Sequence, residues 1–280
     1  MVLESLREAF ARTVDTPVLW ITGLFMGVLF ALYLLLLIGD NTLMGLRIFF
    51  LGLCALPFFL GGFYGAIMGE EPGVHGYIAA GAKYYFRILL AGAVIVSAAF
   101  LTVFLVMIPF TILGASLQAA LIFASFGVGI PFAFFAFFFD TAVVFEDRKV
   151  LDSIRRSVEF VLGNPGRAIV FYLVNLIIGF IIFLVSFIIW IFTLADRLQP
   201  LMDMNQTILQ NMNMTAEQVV NLIGVPGLWV GAAIGFFAVM IGGTVLLSFK
   251  ACFYRRATAS GPVPGLSQGE FDEKGRWYKY

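Results

Sequence analysis

The chain has 280 residues, 61% of them apolar and only 12% charged, with a mean hydropathy of +0.99. Such values lie far outside the range of water-soluble domains and indicate an all-α, polytopic membrane protein. Formal charge balances at 17 basic against 17 acidic residues, so net charge gives no reason to expect a nucleic-acid partner.

In residues 2–14, Leu3, Leu6, Phe10 and Val14 recur at spacings of three and four, the pattern of a helix with one buried apolar stripe. Adding 148 to each position gives Leu151, Ile154, Val158 and Leu162, and the same offset superposes Ser5 on Ser153, Arg7 on Arg155 and Pro17 on Pro165. An internal repeat is expected. Apolar runs long enough to cross ~30 Å of hydrocarbon follow at about 17–38, 48–68, 88–112, 117–139, 168–194 and 227–249. These are six transmembrane helices, read as three hairpins. Each hairpin is preceded by an amphipathic elbow helix, the second elbow being the aromatic stretch 77–87. Gly61, Gly65 and Gly69, and Gly231 with Gly235, form small-residue stripes suited to close helix packing. Pro57, Pro109 and Pro131 would each free a carbonyl within a span.

Between the fourth and fifth spans lies the third elbow, residues 140–167. Leu151, Ile154, Val158 and Leu162 share one face, while Asp152, Arg155, Arg156 and Glu159 occupy the other, the arrangement of a helix lying on a membrane surface. Gly163 is expected to take a left-handed C-cap before Pro165. Asp140 is the most informative single residue, because an ionisable group at a span end needs water or a partner. Ala136, Ala133 and Gly129 share its helical face, so it should point into the bundle, where Arg87, at the same depth on the neighbouring span, would form an intramembrane ion pair with it.

Fifteen Lys and Arg residues fall on the side of the elbows and both termini, and only Arg47 and Arg197 on the other. Both termini of a multi-pass cell-membrane protein should therefore be cytoplasmic. Trp190 and Trp229 sit at the outer span ends, where indoles favour the interface. Residues 1–258 would form the membrane domain, and 259–280, with Pro262, Pro264 and Gly265, a loosely ordered cytoplasmic tail. The long outer loop, 195–226, carries Thr215 and Gln218 as a capping box for a short helix ending at Gly224 and Pro226. Its Asn205 and Asn213 head the sequons, the candidate glycosylation positions.

At the third elbow the string Glu146-Asp147, Leu151, Ser153, Ile154, Arg155, Arg156, Ser157, Val158, Glu159 and Gly163-Asn164-Pro165 resembles a recurring prokaryotic pattern. It belongs to uncharacterised, largely archaeal six-helix membrane proteins similar to the membrane domain of glycerophosphoryl diester phosphodiesterases. The resemblance implies an architecture over about residues 1 to 258 and no activity, since those enzymes keep their catalytic residues in a separate soluble domain.

No nucleophile with a base, no cofactor motif and no metal-ligand spacing is visible, so no catalytic residue is assigned. His75 reads as a solvated loop histidine, and Ser153 and Ser157 as helix-surface serines. Met202, Met204, Met212 and Met214 fit helix packing better than Cu(I) binding. A non-enzymatic scaffold or accessory protein is expected. Arg148, Lys149, Arg155 and Arg156 would contact anionic membrane lipids or a protein partner at the cytoplasmic face. The competing reading is a small-solute transporter or permease-like protein with a cavity near Asp140 and the proline kinks.

Overall fold

A computed structural model describes the chain apart from residues 39–41, 70–72, 115, 203–215, 260–268, 272–276 and 280. The described residues from Val2 to Ala259 are almost all helical. The elements are α1 (Val2–Asp15), α2 (Trp20–Ile38), α3 (Thr42–Met68), α4 (Val74–Ile112), α5 (Leu117–Ala136), α6 (Phe139–Phe145), α7 (Val150–Gly163), α8 (Pro165–Thr193), α9 (Ala195–Met202) and α10 (Ala216–Ala259). Six segments are long and apolar enough to span a membrane: Pro17–Leu37, Thr42–Met68, Val74–Ile112, Leu117–Phe145, Pro165–Thr193 and Gly224–Ala259. In the tail, Gly269–Phe271 and Trp277–Lys279 pair as a short antiparallel ribbon, β1 and β2.

The repeat is visible in the backbone. Shifting the bounds of α1 by 148 reproduces those of α7, and the buried positions Ser5, Ala9 and Thr13 map onto Ser153, Ser157 and Val161, which are also buried. The small and hydroxyl-bearing face of each helix therefore packs closest on the bundle, while the apolar stripe is covered only in part, Leu6, Ile154 and Val158 being half-buried. Leu3 and Val14 are 71% and 77% exposed, and Leu151 and Leu162 are exposed as well. The expectation of a buried apolar stripe on α1 is corrected: small residues allow the closest approach of backbones. Ser5 donates to its own helix at Met1 O (3.0 Å), and Thr13 donates to Ala9 O at 2.8 Å and to Ser248 Oγ at 2.9 Å.

Three further local expectations change. Gly163 ends α7 without a left-handed φ; Asn164 is the C-cap (φ −138°) and Pro165 opens α8 at its first turn, where its missing N–H is harmless. The second elbow is not a separate helix. Residues 77–87 run unbroken into α4, whose 39 residues reach roughly 58 Å at 1.5 Å per residue, because the segment contains no terminator. Its face of Tyr77, Gly81 and Tyr84 is buried against α3, where Gly62 is so close that an added Cβ would sit 2.7 Å from the Tyr77 carbonyl oxygen. Gly61 and Gly65 belong to this contact, but Gly69 is a turn residue with φ +77° and no neighbour.

Gly224, read from the sequence as a helix end, has φ +65° and breaks α10 before its membrane segment. Ser116, whose capping role the sequence reading did not assign, accepts from Ala119 N (3.3 Å) to open α5. Thr215, Asn205 and Asn213 lie outside the described residues.

Consecutive spans touch in each pair, α2 with α3, α4 with α5, and α8 with α10, but the most extensive packing crosses between pairs, α2 with α10 and α3 with α4. Two cores result, both at the end where α1, α7, the start of α4 and the end of α10 gather. One is aromatic, built on Phe138, Phe160, Phe171, Phe253 and Tyr254; the other surrounds Phe63, Tyr64, Tyr77 and Ile88.

Candidate functional site

The fourth span does not continue as a regular helix to Asp140. It breaks at Phe137 and Phe138, between α5 and α6, which leaves polar backbone groups in a buried place where each must find a partner. Side chains from neighbouring helices provide them. Ser157 of α7 donates to Phe135 O at 2.7 Å and accepts from Phe138 N at 3.0 Å, while Tyr172 of α8 donates to Phe134 O at 2.6 Å. Ser157 is therefore a buried bridge, not the surface serine expected from its polar type. The Phe138 ring then enters the aromatic core, 4.8 Å from Phe160 and 5.3 Å from Phe171.

The break turns Asp140 inward at the start of α6, where a carboxylate faces the positive end of the helix dipole. Its Oδ1 accepts from Thr141 N at 2.7 Å. The charge is met by Lys250 of α10, whose Nζ lies 2.7 Å from Oδ1 and 2.8 Å from Oδ2, and Tyr64 of α3 donates to Oδ2 at 3.0 Å. The ammonium also lies 4.2 Å from the centre of the Phe137 ring, within cation–π range. The two charged side chains are only 5% and 6% exposed, and no buried side-chain polar atom lacks a partner among the described residues.

Asp140 thus points into the bundle as expected, but its partner is Lys250 and not Arg87. Arg87 binds Asp147 instead, 2.8 Å from Nη1 to Oδ1, with a second bond to the Asp147 carbonyl at 3.2 Å. The break explains the correction. The regular helix that would have placed Asp140 beside Arg87 ends at Ala136, and the following loop brings Asp147, held at φ +51°, to the arginine.

Around the closed pair runs a ring of acidic hubs. Glu146 receives Arg156 Nε on both oxygens at 2.9 Å, Arg148 Nε at 3.2 Å and the Tyr254 hydroxyl at 2.6 Å. Burial alone would raise its carboxyl, but the Tyr254 hydrogen bond and the two guanidiniums outweigh that and hold it below the ordinary carboxylate value. Burial likewise works against the Arg156 charge, and Glu146 more than offsets it, so this guanidinium is held more firmly protonated than usual. Glu8 of α1 is the equivalent hub, bound by Arg12 (3.1 Å), Arg255 and Arg256 (2.7 Å). Its desolvation is outweighed by Arg256, Arg255 and Arg12, and its carboxyl is also lowered. Arg12 further donates to Ile67 O at 3.1 Å, capping the end of α3.

Of the four cations assigned to lipid or partner contact, Arg148 and Arg156 are thus held by Glu146. Arg155 pairs with Glu159 one helical turn away (2.8 Å) but remains 81% exposed, and Lys149 is exposed with no ion-pair partner among the described residues. His75 is exposed in the first turn of α4. Sequence reading overlooked Lys250, although its setting was visible: apolar residues flank it on both sides, Leu247 and Phe249 before it and Ala251 to Tyr254 after it. A lone cation in such a run needs a buried anion.

Residues 1–257 match the family described as a domain of unknown function (DUF7847). No curated protein and no solved structure matches the chain.

Proposed function

The chain belongs to that family of unknown function, and we propose from its geometry a non-enzymatic integral membrane protein with a scaffold or accessory role, both termini cytoplasmic. Its surface helices α1 and α7 rest on the anionic cytoplasmic leaflet. The observation that carries this reading is the set of exposed apolar side chains on both helices, Leu3, Phe10 and Val14 on one and Leu151 on the other, beside exposed basic side chains. A helix with that disposition sinks its stripe to the acyl boundary and holds its cations at the head groups. Because Glu146 occupies Arg148 and Arg156, the attraction falls to Lys149 and Arg155, each worth about 1 kcal/mol near a charged leaflet. The likeness of the third elbow to phosphodiesterase membrane domains adds no activity to this proposal.

The transporter reading requires Asp140 to meet water during a cycle. Its enclosure by Lys250 and Tyr64 favours a structural pair instead.

Co-purification tests the proposal. Lys149→Gln with Arg155→Gln should release anionic lipid more readily than the wild type, and the difference should shrink as salt rises. Equal retention in the double variant would turn the assignment toward a protein partner.

A further inference from the structure

Beneath α7 the bundle carries a groove that no ion pair lines. It is a cavity of about 350 Å³ at the junction of α4, α5 and α7, with Val94 and Ala98 on one wall, Pro131 behind, and Ile154, Val158 and Leu162 along α7. Every lining side chain is apolar, so the groove offers water nothing to bind. From Ile154 to Leu162 it runs eight residues, roughly 12 Å of helix. Its α4 and α5 walls belong to membrane-spanning segments, so the medium beside it is acyl chain.

At the α4 start of the same crossing lies a second, charged cavity of about 480 Å³, bounded by Arg87, Lys149, Leu151 and Asp152. Arg87 precedes Val94 by two helical turns, and Lys149 to Asp152 lead into the α7 residues that line the apolar groove, so the two cavities are walled by the same pair of helices. Its charges are not a uniform basic patch. Arg87 is neutralised by Asp147, whereas Lys149 and Asp152 have no ion-pair partner among the described residues and do not pair with each other. One cation and one anion held apart on the helix that walls an apolar groove match a molecule that carries a phosphate, an ammonium and an acyl chain.

We propose that this junction is a binding site for one zwitterionic phospholipid of the bilayer, with an acyl chain in the groove under α7, the phosphate against Lys149 and the ammonium against Asp152. The inference rests on α7 lying at the membrane surface, but it concerns one bound molecule and not the general attraction of anionic lipid. Seated there, the lipid fills the gap between the α4/α5 hairpin and the surface helix and joins them.

Native mass spectrometry of the full chain, stripped of lipid in detergent and titrated separately with phosphatidylethanolamine and phosphatidylglycerol, tests it. The wild type should hold one phosphatidylethanolamine at least fivefold more tightly than phosphatidylglycerol. Val158→Trp, which fills the groove, should abolish that adduct, and Lys149→Gln, an exposed change that spares the fold, should weaken it severalfold. Val158→Trp should leave the salt-sensitive retention of anionic lipid by Arg155 unchanged, which separates this site from surface attraction. A single adduct of wild-type strength in Val158→Trp, or no preference between the two lipids in the wild type, would overturn the proposal.

Discussion

The two ends of the bundle are built on different terms. At the end where α1, α6 and α7 gather, large aromatic side chains are fully enclosed, the carboxylate hubs are saturated, and even a broken helix has its backbone groups matched by Ser157 and Tyr172. Toward the α4/α5 turn and along α8, almost every large apolar side chain is exposed, Leu113 to 82%. The contrast shows where specificity resides in a membrane protein. Lipid solvates an exposed leucine as well as another helix does, so the distal arms need no core, whereas a polar group within the bundle has no such substitute and must be paired by design.

Breaking the Asp140–Lys250 pair should strike the organised end hardest. Asp140→Ala or Lys250→Ala leaves the other charge buried and alone, at a cost of about 3–5 kcal/mol. Thermal unfolding in detergent should show the loss, and Asp140→Leu combined with Lys250→Met should recover most of it. Additive losses in that double variant would mean that the two residues do not act as a pair.

Ser157→Ala comes next. It strands the Phe138 N–H and the Phe135 carbonyl together, worth about 1–3 kcal/mol, while Ser153→Ala, whose hydroxyl only returns to Val150 O within its own helix, should cost much less. Equal effects would remove the bridge from the account.

Acid should loosen the same end more gently. Glu8 and Glu146 ionise below the ordinary value of 4.5 in the folded protein, so their stabilisation is complete above that pH and is lost as pH falls through their lowered values. Melting temperature should therefore be level from about pH 6 upward and decline below 4.5, with part of the decline missing in Glu146→Gln. A melting temperature that rises on acidification would contradict the assignment of these hubs.

The smallest effect belongs to the distal arms. Phe126→Ala on exposed α5 should shift stability by no more than about 0.5 kcal/mol, since most of that ring meets the same medium before and after folding. A loss comparable with that of Ser157→Ala would show that something packs on this arm.

The same division governs what the sequence could show. Spans, the helix end at Gly224 and the repeat are local or periodic signals, and each appears in the structure. Periodicity located the stripe on α1 but could not say that Leu3, Phe10 and Val14 would stay exposed, because lipid and protein both accept leucine. Equal depth on the neighbouring span suggested Arg87 for Asp140. The true partner stands 110 residues away on the last span and was counted among the surface cations. The break at Phe137 carries no Gly or Pro of its own and depends on Ser157, a contact that exists only after α7 has docked.

The reliance of the first helix on the last has a consequence for biosynthesis. Thr13 bonds Ser248, Glu8 binds Arg255 and Arg256, and Asp140 waits for Lys250, all on the final span to be made. Until α10 is inserted, α1 lacks the helix it packs on most, keeping only contacts such as that of Arg12 with the Ile67 carbonyl, and the fourth span carries an uncompensated carboxylate. With only the preceding spans in place the bundle has an open end, which α10 closes. A chaperone or quality-control protease that recognises unpaired charge in the membrane would find it in that interval.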